Sequence, residues 1–381
     1  MSQMLRGTRI ACAVVAVSAG SVLTTTASAR VDATAHDVSP QRKPTLASIT
    51  KLLVRDGAPG ALVVLRTPTR VRRAASGLSS RQPRVPLRAT ARFRIASVTK
   101  PFVATVVMEL VGEGKLSLDD SVEHWLPGLV PNGGNITIRE LLNNTSGIYN
   151  YTDDTVFDQA EVADPMHIWS PRELIAVATR HPPLFAPGTG WSYSSTNYVI
   201  IGLVVEVVTG TPLEQQLRSR LFEPLGLGST SYVPQVDTSG TLAHGFIGSA
   251  TFPDVPAGTL IDVTPALNGS WGWGAGAIIS NGDDVTKFFA TLLRGRILSP
   301  NLLALMKTVV PGYDYGLGLM RVQTACGVVA YGHVGDFIGY RNVVAATANG
   351  KRVVDIMVNV DTTDVSWGEL EGEAEVALCF T

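Results

Sequence analysis

The chain has 381 residues, 45% of them hydrophobic, and carries 31 Lys and Arg against 32 Asp and Glu, for a net charge of −1. That length and apolar share support a large core, in one domain or two. A near-neutral balance with no basic run gives no footprint for nucleic acid.

The first segment reads as an export signal. Arg6 and Arg9 precede the apolar stretch IACAVVAVSAGSVL (10–23), and the small residues ASA (27–29) place a cleavage site after Ala29. The alternative is an uncleaved anchor, but the stretch is short for a membrane span. Cys12 lies inside the apolar region with Arg9 just before it, which disfavours a lipid acceptor. The expectation is a secreted protein with signal peptide 1–29, a polar linker 30–43 and no stable membrane anchor after cleavage. Cys326 and Cys379 then remain, and in an exported chain an even pair reads as a disulfide, with two buried thiols as the alternative.

Residues 44–57 have Leu46, Ile49, Leu52 and Leu53 at helical spacing with one polar face. Segments 60–66, 70–77 and 91–97 read as strands. Residues 98–114 are apolar almost all round and predict a buried helix, with Pro101 in its first turn and Gly112 and Gly114 at its end. Residues 115–275 are loop-rich with helical stretches at 170–181 and 196–210. Strand patterns return after 315, and 364–380 reads as a final helix. The fold class expected is α+β: an antiparallel sheet built from both ends of the chain (44–114 and 276–381), flanked by helices, with an inserted, mainly helical domain at 115–275. Histidines never occur as H-x-H or H-x-x-x-H, so no metal or other cofactor is expected.

Two serines stand three residues before a lysine: Ser48 with Lys51, and Ser97 with Lys100. In a helix either pair shares a face. Ser48 and Lys51 sit on an amphipathic surface helix, where lysine is ordinarily solvated. Ser97 falls where a strand gives way to a buried helix, whose N–H groups favour a developing anion. Lys100 then projects from a helix that admits almost no other charge, and a buried lysine is costly without a role or partner. The alternative is that Lys100 reaches the surface.

Further along, WSYSSTNY (191–198) sets Tyr193 in a Ser/Thr/Asn cluster before an apolar helix, and YGHVGDFIGY (331–340) sets His333 and two glycines at a strand end. Serine with lysine, a tyrosine and a glycine-bearing edge strand is the constellation of active-site serine penicillin-recognising enzymes. The blocks FRIASVTKPFVATVVMELVGEGKLSLDDSV, ITIRELLNNTSGIYNYT, PGTGWSYSSTNYVIIGLVVEVVTG and YGLGLMRV…CGVVAYGHVG, in order over about 44–380, resemble secreted D-alanyl-D-alanine carboxypeptidases, relatives of class C β-lactamases.

The resemblance implies a sheet domain and a helical domain with a serine site between them, and a Cys326–Cys379 disulfide. It implies Ser97 as nucleophile, Lys100 and Tyr193 as its proton-handling partners, and the N–H groups of Ser97 and Asp336 as the oxyanion hole. Ser195, His333, Val334, Gly335 and Trp271 fall among the substrate-binding positions. The partners implied are a peptidoglycan stem peptide, a β-lactam or a small ester. Three positions depart from the pattern: Ser195 replaces Asn of the Y-x-N motif, Val334 replaces Thr of the H/K-T-G motif, and Met320 replaces an arginine. Asn197 faces elsewhere on its helix, and Arg321 is turned to the opposite side of its strand from Met320. The missing Thr and Arg are the carboxylate-holding groups, which puts carboxypeptidase specificity in question. The reading is a secreted serine acyl-hydrolase of the D-alanyl-D-alanine carboxypeptidase and β-lactamase type; the alternatives are an esterase with weak peptidase activity, a carboxypeptidase in which His333 or another base holds the carboxylate, and, from another class, a non-catalytic wall-binding or sensing module. An α/β-hydrolase is disfavoured because G-x-S-x-G does not occur.

Overall fold

A computed structural model describes residues 44–381 apart from 165, 238, 240, 249–257 and 363. The expected signal and linker lie outside the described residues.

Helix α1 (Leu46–Arg55) opens with a capping box in which Ser48 serves a local end. Its amide donates to Thr45 Oγ1 at 3.1 Å, and its Oγ accepts from the Thr45 amide at 2.9 Å. Lys51 is exposed beside it. The first Ser/Lys pair is thus a helix cap and a solvated charge.

The main sheet is antiparallel and has seven strands: β1 (Gly60–Arg66), β2 (Val71–Arg81), β3 (Arg84–Pro86), β4 (Met320–Gln323), β5 (Val329–Phe337), β6 (Tyr340–Thr347) and β7 (Val353–Val358), in the spatial order β3-β2-β1-β7-β6-β5-β4. Both ends of the chain therefore build one sheet. β1 is central and buried on both faces, so its sequence GALVVLR is apolar without alternation. Its side chains still alternate in destination. Leu62 and Val64 enter the large core, whereas Ala61, Val63 and Leu65 meet α1 and the C-terminal helix α5 (Trp367–Phe380).

On the opposite face lie α2 (Thr99–Gly112), α3 (Ser195–Thr209) and α4 (Gly282–Leu293). One apolar core runs from Leu62 through Phe102 and Val106 on α2 to Val204 on α3, so sheet and helical layers pack as one body around α2. Phe102 stacks on Phe288 of α4, with ring centroids 3.7 Å apart. The disulfide Cys326–Cys379, with Cα atoms 6.3 Å apart, ties α5 to the turn between β4 and β5. Closing that 53-residue loop is worth about 4 kcal/mol in the chain-entropy model.

Candidate active site

Ser97 lies on a single turn (Ala96–Val98) that joins the strand Phe93–Arg94 to α2. Ala96 before it has φ of 50°, a left-handed conformation uncommon for a residue with a Cβ. The turn is held from both sides, by Ile95 N–H to Ile278 O at 3.0 Å and Ile278 N–H to Thr99 Oγ1 at 3.2 Å. Gly335 of β5 is required here: a Cβ on it would lie 2.3 Å from Ile95 O. Without a side chain at 335, β5 comes right up to the serine turn.

Lys100 is fully buried in the first turn of α2. Its Nζ lies 2.8 Å from Ser97 Oγ, 3.1 Å from Ala275 O and 3.3 Å from Ser195 Oγ. Among the described residues no carboxylate pairs with it, and burial lowers its pKa well below the ordinary lysine value. A neutral amine has two N–H bonds and one lone pair, so it can donate to Ala275 O and Ser195 Oγ while accepting from Ser97 O–H. Tyr193 sits with its ring centroid 4.8 Å from Lys100 Nζ. Burial raises its phenol, opposed by the neighbouring Ser97 and Ser195 hydroxyls, so the ring is held as a neutral phenol rather than a phenolate.

Ser195 is fixed by a latch between the start of α3 and the loop after Leu142. Ser195 N–H donates to Asn150 Oδ1 at 3.0 Å, and Thr196 Oγ1 donates to Tyr149 O at 2.8 Å. Asn197 turns away from the cleft, donating to Asn144 Oδ1 at 3.0 Å and accepting from Ser146 Oγ at 2.7 Å. Asn144, Ser146, Asn150 and Tyr151 were not singled out from the sequence. Their signal is the polar block NNTSGIYNYT, in which Asn144 and Asn150 are buried and bonded here.

The expected strand motif divides by strand alternation. His333 is 2% exposed and does not line the cleft. Its Nδ1 lies 2.6 Å from Val334 O and its Nε2 lies 3.0 Å from the Tyr315 hydroxyl. Nδ1 therefore carries the proton and Nε2 accepts from Tyr315. Burial, and then the nearby Lys100, push His333 down to about 3, so it is neutral. A neutral, doubly bonded imidazole behind the cleft is no holder for a substrate carboxylate. Val334 packs on the sheet face covered by the terminal helices and likewise leaves the cleft. Met320 pairs with Gly332, and Arg321 forms an exposed ion pair with Asp314 at 2.7 Å.

Asp336 is different. On β5, Val329 O accepts from Ala348 on the β6 side, and Val328 O accepts from Thr324 on the β4 side. Even-numbered residues thus turn their backbone groups toward β4. β4 ends its pairing at Met320↔Gly332, so the Asp336 N–H faces an open edge beside Ser97. The cleft there encloses about 300 Å³ and is lined by Ser97, Tyr193, Ser195, Trp271, Asp336 and Asp361, among others. Trp271 forms one wall, stacked on Phe337 with centroids 4.1 Å apart, and its carbonyl accepts from Tyr151 Oη at 2.5 Å.

A serine–lysine pair at a helix start, beneath an antiparallel sheet edge and beside a buried tyrosine, defines a serine hydrolase of the β-lactamase fold. The family model Beta-lactamase matches residues 46–377, and the chain belongs to that family. A D-stereospecific amidohydrolase from Streptomyces sp. superposes with a TM-score of 0.78 at 35% identity, covering 87% of this chain and 98% of that one. Penicillin-binding protein 4 of Amycolatopsis lactamdurans is 30% identical over 323 residues, 79% of this chain and 81% of its own length. Esterase EstB of Burkholderia gladioli is 36% identical over 171 residues; that match spans 42% of this chain and only 43% of EstB.

Proposed function

We propose that the protein transfers the acyl group of a small amide or ester to Ser97 and then to water. The carrying observation is the coordination of Lys100: fully buried, paired with no carboxylate among the described residues, and 2.8 Å from Ser97 Oγ. In this reading the Lys100 lone pair takes the Ser97 proton as Oγ attacks the carbonyl carbon. The oxygen that gains negative charge is received by the N–H groups of Ser97 and Asp336. Tyr193, a neutral phenol, passes a proton to the leaving nitrogen or oxygen and is restored through Ser195 and Lys100. Water then repeats the attack on the acyl-enzyme, and Ser97 is regenerated.

The substrate class follows from what lines the cleft. Among the described residues no arginine or lysine lines it, and Lys100, beneath Ser97, is held neutral by burial. A terminal carboxylate, as on a wall peptide or a penicillin, finds no cation to hold it. Similarity to a D-stereospecific amidohydrolase and to an esterase supports an amide or ester without that group. Similarity to a penicillin-binding protein supports the peptide or β-lactam alternative. The test is a fluorophosphonate label followed by peptide mapping. Label on the peptide holding Ser97, abolished by Ser97→Ala and kept in Ser48→Ala, is expected; label elsewhere, or none, overturns the assignment. The 1–29 signal supports action outside the cell, and N-terminal sequencing of protein from culture medium should begin at Arg30.

A further inference from the structure

A second groove, of about 590 Å³, opens between the end of α4, the helix Pro300–Lys307 and β5. It shares no lining residue with the cleft at Ser97. Its wall is apolar at Leu293, Leu303, Ala304 and the ring of Tyr331, and it carries two cations, Arg294 and Lys307. Among the described residues no carboxylate lines it, and neither cation belongs to an ion pair.

One turn draws the two cations together. Arg294 Nε donates to Gly350 O at 3.0 Å, and Lys307 Nζ donates to Ala348 O at 3.0 Å. Carbonyls two residues apart thus hold side chains that come from two different helices. The Lys307 ammonium also lies 4.7 Å from the centroid of the Tyr331 ring. Donors remain on both. A guanidinium has five N–H bonds and an ammonium three, and each side chain gives one nitrogen to one carbonyl. Arg294 Nη2 is buried with no partner among the described residues. Each cation stands at the C-terminal end of a helix, whose partial charge of about −0.5 offsets half of it. The pair keeps a surplus of about +1 beside an apolar wall.

We propose that this groove binds a monocarboxylate with an apolar body, the charge at Arg294 and Lys307 and the body on Leu303, Ala304 and Tyr331. A surplus near one unit matches a monoanion, whereas a phosphate dianion leaves charge uncompensated. The volume falls within the range of about 300–1,000 Å³ that holds small organic ligands. Binding here needs nothing from Ser97, so it stands apart from the acyl-transfer reading.

The experiment is calorimetric titration with 4-phenylbutyrate. It is compared with 4-phenylbutanol, which lacks the charge, 4-phenylbutylamine, which reverses it, and butyrate, which lacks the ring. A charge-assisted bond corresponds to roughly a 10- to 100-fold preference, so the acid should bind about tenfold or more tighter than the alcohol or the amine. High salt should weaken it. Ala304 is exposed on its helix, three residues before Lys307, so Ala304→Glu sets a carboxylate in the groove without entering the core. That variant and Lys307→Gln should each lose roughly tenfold in affinity, while Ala304→Gln, of the same size as the glutamate, should stay close to wild type. No binding, equal affinity for acid and alcohol, or equal loss in Ala304→Glu and Ala304→Gln overturns the proposal. So does binding that disappears once Ser97 is blocked with fluorophosphonate, which would put the ligand in the cleft. Failure of Ser97 to take the label sinks the serine mechanism and leaves the Ala304 comparison untouched.

Discussion

Asp355 lies in the middle of β7, fully buried, in the apolar run VVDIMV. Asn342 Nδ2 donates to its Oδ1 at 2.8 Å, while Asp355 Oδ2 and Asn342 Oδ1 have no partners. Burial, opposed by the Asn342 bond, raises its pKa from 3.8 to about 8. A protonated carboxyl resolves both orphans, because its O–H can donate to the amide oxygen it faces. The sign follows from linkage. Below pH 3.8 both folded and unfolded chains hold the proton and nothing is lost. As pH rises toward 8 the unfolded chain releases it and the folded chain does not, so stability falls. At pH 7 the cost is 1.36 kcal/mol for each unit above 3.8, or about 4 kcal/mol. Asp355→Asn keeps the shape, offers an N–H to the same amide oxygen and removes the titration. The unfolding free energy from urea titration should rise for this variant at pH 7.5 by an amount approaching that cost, and the gain should vanish near pH 4. A gain of the same size at both pH values, or none at pH 7.5, refutes the argument that this buried acid is held protonated.

Lys100→Met should lower kcat/KM by roughly two to four orders of magnitude. In wild type the acid limb of the pH–rate profile should lie far below 10.5, activity rising with pH as the buried amine loses its proton; a limb near 10.5 contradicts a neutral lysine. Cys379→Ser should lower the unfolding free energy by up to about 4 kcal/mol while Ser97 remains labelled, since the bond holds α5 and not the cleft. Val334→Thr should leave the ratio of peptide to ester turnover unchanged, because that side chain points to the terminal helices; a selective rise for a carboxylate-ended peptide would place it in the cleft after all.

Local pattern carried most of what the sequence disclosed. The apolar surround of Lys100, the break from strand to helix at Ser97 and the two-ended set of strand patterns are all short-range features, and the antiparallel sheet and the serine–lysine contact followed from them. What stayed hidden depends on partners far along the chain. The latch that orients Ser195 joins residues 45 apart, at Asn150, and nothing in either segment names the other. The motif places His333 among the substrate-binding positions, but Tyr315 and the Val334 carbonyl absorb both its nitrogens. Asp355 shows in the sequence as a lone acid among apolar residues, yet only the pairing of β6 with β7 reveals Asn342 beside it. Ser48 was separable from Ser97 by context, and its capping role is visible in the T-x-x-S spacing.

The imidazole bond to Val334 O bears on substrate length. An extended peptide laid along the open edge of β5 would add a strand to the sheet, bonding at alternate residues. At Asp336 both backbone groups face that edge. Two residues back, the carbonyl that would accept the next bond is already taken by His333. The ladder offered to a visiting chain therefore has one free rung, and at Val334 O a lengthened substrate must share the carbonyl with His333. Recognition then leans more on the acyl residue itself than on main-chain pairing along β5.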